Sequence, residues 1–236
     1  MRKLISTLFT VVVAAQLLTV SAQAALYQLD NGSISTALNA SDGTEPLDNW
    51  FGNVFTALSG ANLITRVDFG SFTTTPGSLA SLVLYRVTDP GGNPALGATR
   101  VFTQNFTPIV GDGTNAFLQQ ITLSSAVTFN VGDKFLAAIF MRNVIAAPPN
   151  DVYPFLLDTS GNATGTYWDR SAPNTFNLDN LSGAIPINQA FVPGGYNPGA
   201  GHVFIRAYGI DVPEPSTFAL AGLAFAAGAI MRRRQR

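Results

Sequence analysis

Phe129-Asn130-Val131-Gly132-Asp133-Lys134-Phe135 reads as two strands joined by a tight turn. Gly132 supplies the positive φ that such a turn needs, because it has no Cβ to clash. Upstream, Val127-Thr128-Phe129-Asn130-Val131 alternates apolar and polar residues, the period of a strand with one buried face. Downstream, Phe135 to Phe140 is nearly all apolar, as in a strand buried on both faces. Both textures recur outward along the chain. Ile64-Thr65-Arg66-Val67-Asp68-Phe69 alternates, whereas Leu79 to Val87, Phe117 to Leu123 and Val203 to Tyr208 are more continuously apolar. Between them stand turn formers: Asp89-Pro90-Gly91-Gly92-Asn93-Pro94, Gly111-Asp112-Gly113 and Pro193-Gly194-Gly195.

One stretch, Asp48 to Ala57, could form a short helix capped by Asp48, although Gly52 interrupts it. Trp50 there, beside Phe51, Val54 and Phe55, reads as part of a packed cluster. From Ala146 to Gly201 the strand pattern thins among seven prolines, from Pro148 to Pro198, and is expected to form long loops with a strand or two. Many short strands without crossover helices predict an all-β domain, an antiparallel β-sandwich of jelly-roll type.

The two ends differ from this body. Arg2-Lys3, the apolar run Leu4 to Val20 and Ala22-Gln23-Ala24 are the three parts of a secretory signal peptide covering residues 1–24, with the mature chain starting near Ala25. At the other end Pro213-Glu214-Pro215 precedes an apolar stretch over residues 217–231, and Arg232, Arg233, Arg234 and Arg236 follow. That stretch makes a helix of roughly 22 Å against a ~30 Å hydrocarbon core, so it spans only marginally. The arginines can reach the headgroups and hold their end on the cytoplasmic side.

In order and in place, these parts resemble the PEP-CTERM sorting signal of Gram-negative bacteria. The resemblance implies recognition by an exosortase, a membrane transpeptidase-like enzyme that cleaves near Pro213-Glu214-Pro215. The body would then leave a transient anchorage in the inner membrane for the cell surface or the extracellular polymer matrix. The alternative is an ordinary tail-anchoring helix that is never cut. The resemblance covers residues 213–236 and is silent on what the body, residues 25–212, binds.

Composition narrows the choices for that body. Of the chain's 14 acidic residues only Glu214 lies in the tail, leaving 13; of its 13 basic residues, Arg2, Lys3 and the four tail arginines lie at the ends, leaving 7. A body of net charge −6 with scattered basic residues argues against nucleic acid, whose phosphates need clustered Lys and Arg. There is no cysteine, which excludes disulfides, cysteine nucleophiles and thiolate metal sites. At about 190 residues the body is one domain with enough chain for a sizeable core.

Chemistry is sparse. The single histidine, His202, precedes the strand Val203 to Tyr208, and no G-x-S-x-G elbow accompanies it. It reads as a loop or strand-edge residue. Glycoside hydrolysis needs two carboxylates at a set separation, but Glu45 is the body's one glutamate and its aspartates sit mainly in turns. No cofactor is expected. Calcium is the metal left open, at Asp42-Gly43-Thr44-Glu45 or Asp158-Thr159-Ser160-Gly161-Asn162, although Asx-turns explain both. Thr73-Thr74-Thr75 lacks the repetition of an ice-binding face and reads as a loop.

Tyr167-Trp168-Asp169-Arg170 is the candidate glycan contact, since aromatic rings beside a carboxylate and a guanidinium can stack on a sugar and bond its hydroxyls. The competing reading, which we prefer, makes Trp168 a core residue with Asp169 and Arg170 paired at the surface. The expected function is a non-enzymatic, exosortase-processed surface or matrix protein, structural or adhesive in an exopolysaccharide or biofilm setting. A carbohydrate-binding module comes second and a glycoside hydrolase third.

Overall fold

The protein is described from a computed structural model, whose described residues are 24–38, 46–71, 80–109, 117–144, 155–159, 164–189 and 201–211. They form β1 (Ala25–Tyr27), β2 (Thr36–Leu38), β3 (Leu47–Thr56), β4 (Leu63–Ser71), β5 (Ala80–Val87), β6 (Ala98–Phe106) and β7 (Phe117–Thr128). Then follow β8 (Lys134–Val144), β9 (Phe155–Asp158), β10 (Thr166–Ser171), β11 (Ile185–Pro186), β12 (His202–Val203) and β13 (Ile205–Ile210). All pairings are antiparallel, and there is no helix among the described residues.

The strands lie in sheets of order β11-β10-β3-β8-β5-β6, β1-β13-β4-β7 and β12-β9-β2. The last two are linked through Phe204. Its N–H donates to the Leu156 carbonyl at 3.1 Å, and its own carbonyl accepts from Gly70 N–H at 2.7 Å. One run of chain, 202–210, therefore begins beside β9 and ends beside β4.

Period two decides which side chains meet in the middle. Phe51 and Phe55 of β3, Leu82 and Leu84 of β5, and Ala137 and Ile139 of β8 face Val67 and Phe69 of β4, Ile121 of β7, and Ile205 and Ala207 of β13 in one core. The alternate residues of the six-stranded sheet are buried as well. Trp50, Val83, Tyr85, Leu136, Ala138 and Phe140 form a second cluster, covered by Phe176, Leu181 and Ala184 from the chain after β10. This double burial is why β5 and β8 read as continuous apolar runs. In contrast β7 and β13 bury only one face, so their continuous appearance overstated their burial.

Two local expectations change. Asp48 to Ala57 is no helix. It is the central strand β3, paired with β8 and β10 and buried along nearly its whole length. Gly52 belongs there because a Cβ would lie 2.7 Å from Leu136 Cδ1 and 2.9 Å from Ala138 Cβ. The Asn130 to Asp133 turn exists, with Gly132 at φ 89° and Asp133 N–H on the Asn130 carbonyl at 2.9 Å. Yet β7 and β8 do not pair with each other; they belong to different sheets, and the turn carries the chain across the core.

Candidate functional site

Neither end of the body stands apart from its fold. β1 pairs with β13, placing Ala25 opposite Gly209 and Tyr27 opposite Ala207. The exposed Ala24 directly precedes β1, and Asp211 directly follows β13. Chain entry and exit are thus side by side at one corner. The close approach of Gly209 to the loop below reinforces this, since a Cβ there would fall 1.7 Å from the Ala61 carbonyl oxygen. Ala22, Pro213, Glu214, Pro215, the 217–231 stretch and Arg232, Arg233, Arg234 and Arg236 lie outside the described residues. No helix among the described residues is long and apolar enough to cross a membrane.

The Tyr167 to Arg170 segment is β10, an inner strand flanked by β11 and β3. Trp168 has no exposed surface; its ring stacks on Phe51 at 6.0 Å, and its Nε1 donates to the Gln189 carbonyl at 3.3 Å. It has no face to offer a sugar, which corrects its assignment as a glycan contact. Tyr167 points the other way, half-buried against the second cluster, and burial pushes its hydroxyl pKa up. Asp169 and Arg170 are also buried rather than paired at the surface. The Asp169 carboxylate accepts from Arg170 N–H at 2.7 Å and packs on Gly183, where a Cβ would meet Oδ2 at 2.7 Å. Loss of hydration raises its pKa from 3.8 to about 6.

Sequence reasoning did not anticipate a polar network inside the domain, which joins residues far apart in the chain. β1 covers β13 only from Ala207 to Gly209, so upstream carbonyls need another donor. Asn53 of β3 supplies it across the core: Nδ2 donates to Val203 O at 2.8 Å and Ile205 O at 2.9 Å. Both amide hydrogens are then used, which leaves Asn53 Oδ1 to accept from Thr166 Oγ1 at 2.7 Å. Thr166 has one hydroxyl hydrogen, so its contact with His202 Nδ1 at 2.8 Å requires the imidazole proton on Nδ1. Burial lowers the His202 pKa, against the pull of Asp158 and Asp30. The histidine is a neutral structural link.

Beside it, Asp30 clasps Arg206 in a two-pronged ion pair, with Arg206 Nε 3.0 Å from Oδ2 and Nη2 also on Oδ1. The Asp30 carboxylate raises the Arg206 pKa and accepts Gly32 N–H at 3.0 Å. Above this pair a shallow groove of about 170 Å3 opens among Gly32, Ile34, Gly70, Leu118, Leu156, Phe204 and Arg206. It is largely apolar, and its one charge is already neutralised.

Of the calcium candidates, 42–45 and 160–162 lie outside the described residues, and Asp158 Oδ2 accepts Asn31 N–H at 2.7 Å. Among the described residues no three acidic or histidine side chains gather as metal ligands. The other buried carboxylates have partners: Asp68 lies 2.9 Å from Arg66 Nε, and Asp48 accepts Phe176 N–H at 3.3 Å.

Comparison with known proteins locates a PEP-CTERM protein-sorting motif at residues 211–235. It begins at the residue after β13. No curated protein matches the chain. A solved structure of the cysteine protease and lectin-like domains of Cwp84, a surface layer associated protein of Clostridium difficile, is similar at a TM-score of 0.46 and 14% identity. The likeness covers 80% of this chain but only 36% of that one.

Proposed function

We propose that this PEP-CTERM protein is an exported, non-enzymatic β-sandwich that an exosortase cuts free near Pro213-Glu214-Pro215 for structural or adhesive duty at the surface or in the polymer matrix. The motif itself implies export and membrane-associated sorting in a Gram-negative bacterium. The observation that carries the reading is its position, starting where β13 ends, so that the tail is separable from the fold without loss of a described strand. The same holds at the front, where the signal-peptide site ends at Ala24 and β1 begins at Ala25.

The body fits a jelly roll. Orders β1-β13-β4-β7 and β3-β8-β5-β6 make two interlocked Greek keys of eight strands, with β2 inserted after the first and β9 to β12 before the last. A closed scaffold without disulfides, stabilised by two apolar clusters, suits a passive surface role. Glycan binding through Tyr167 and Trp168 loses its support with the burial of Trp168.

Intact-mass measurement of the protein recovered from the extracellular fraction tests the proposal. The mature species should start near Ala25 and lack residues 217–231. A secreted species still ending in Arg236 would overturn exosortase release.

A further inference from the structure

We propose that the tail-bearing end of the domain is a lipid-facing surface, on which Leu58, Leu96 and Val131 enter the headgroup region of the membrane that holds the sorting tail. This rests on the reading that the tail occupies that membrane.

Three turns share this end with the chain's entry and exit: 57–62 after β3, 88–97 between β5 and β6, and 129–133 before β8. They are tied together. Ala57 N–H donates to Asp133 O and Gly132 N–H to Ala57 O, both at 2.8 Å. Tyr27 Oη, from β1, donates to Ala61 O at 3.1 Å and accepts Leu58 N–H at 2.9 Å. The hairpin loop joins them through Gly92, which packs beside Lys134.

Each turn lifts one aliphatic side chain into solvent: Leu96 is 75% exposed, Val131 55% and Leu58 51%. Each also holds a glycine at positive φ, with Gly60 at 79°, Gly92 at 85° and Gly132 at 89°, the backbone conformation these tight turns require. Aliphatic side chains held in water on these linked turns gain only when something apolar covers them.

The chain's exit identifies what covers them. From Ile210 to the apolar stretch at Thr217 is seven residues, a reach of at most about 25 Å. While the tail is in the bilayer, this end is tethered within that distance of the headgroups, and its turns are the part of the body that meets them. Ile34 and Leu118 line the groove at the opposite end. Charge near the turns is mixed, with Arg86 3.9 Å from Asp133, so contact is driven by the apolar tips and not by anionic lipid. Such contact is weak and reversible, which suits a body that leaves once its tail is cut.

The absence of cysteine makes the test direct. Single variants Leu58→Cys, Leu96→Cys and Val131→Cys of the full chain carry a polarity-sensitive dye, in vesicles of phosphatidylethanolamine and phosphatidylglycerol with nitroxide-bearing lipid. Thr107→Cys, exposed just beyond β6 at the opposite end, is the control, and Leu223→Cys reports tail insertion. The three turn dyes should shift to the blue and be quenched while Thr107 stays in water. Turn dyes as hydrated as Thr107 overturn the inference, and with Leu223 quenched they leave the sorting reading intact. Quenched turn dyes with Leu223 in water support the lipid-facing surface but defeat the tail as its anchor.

Discussion

Asp169 shows how one buried group ties stability to pH. Its carboxyl stands behind Gly183 on β10, where lost hydration outweighs the hydrogen bond from Arg170 N–H. With a folded pKa of about 6 against 3.8, the folded state holds a proton that the unfolded state releases between these values. Stability from this group is full below pH 4, declines as pH rises towards 6, and is gone above. The cost above pH 6 is about 3 kcal/mol, at 1.36 kcal/mol for each pKa unit. Asp169→Asn keeps the shape and an oxygen to accept from Arg170. It should therefore raise unfolding free energy at pH 8 by about 1–3 kcal/mol and flatten the pH 4 to 6 dependence. Urea denaturation from pH 4 to pH 8 checks both. A variant less stable than the parent at pH 8 would show that the charge is compensated.

At the scale of elements, β1 is three residues long and depends on β13 for its place. Gly209 lies at a register shift in β13, against the Ala61 backbone. Gly209→Ala would push a methyl group into a carbonyl that cannot rotate away. Overpacking of this kind costs about 1–3 kcal/mol, occasionally more. The expected result is a lower urea midpoint together with faster amide exchange at Ala25 to Tyr27, since β1 is lost first. Unchanged exchange there would mean that β1 is held by Tyr27 alone. That β3 is a strand follows from its surroundings. Asp48, placed as a cap, gave the sequence a helical cast, but burial on both faces between β8 and β10 overrides local propensity.

For the whole molecule, the proposed sorting makes the tail arginines the groups expected to set how long the body stays at the membrane. Replacing Arg232, Arg233, Arg234 and Arg236 with neutral residues should abolish the cytoplasmic stop, because each arginine near an anionic surface contributes ~1 kcal/mol. The apolar stretch 217–231, rich in Ala and Gly, has little apolar surplus to offset that loss. The variant should appear outside the cell with its tail uncut, by fractionation and intact mass. Normal trimming would assign retention to the apolar stretch or to Pro213-Glu214-Pro215 themselves.

The sequence by itself determined the all-β class, because period-two alternation and Gly-rich turns are local properties. It also marked the sorting tail, whose parts are contiguous in the chain and act through composition. Only the tertiary structure decided what covers each face. From sequence Trp168 reads as a core residue first and a glycan platform second, and the two are separated only when Phe51 is placed against it. Likewise no local signal pairs Asp30 with Arg206, 176 residues apart, or brings Thr166 to His202. The corner shared by Ala25 and Gly209 is of the same kind. Alternation tells a side chain which way to point, but the partner it meets is set by how distant strands stack, and that is a property of the whole fold.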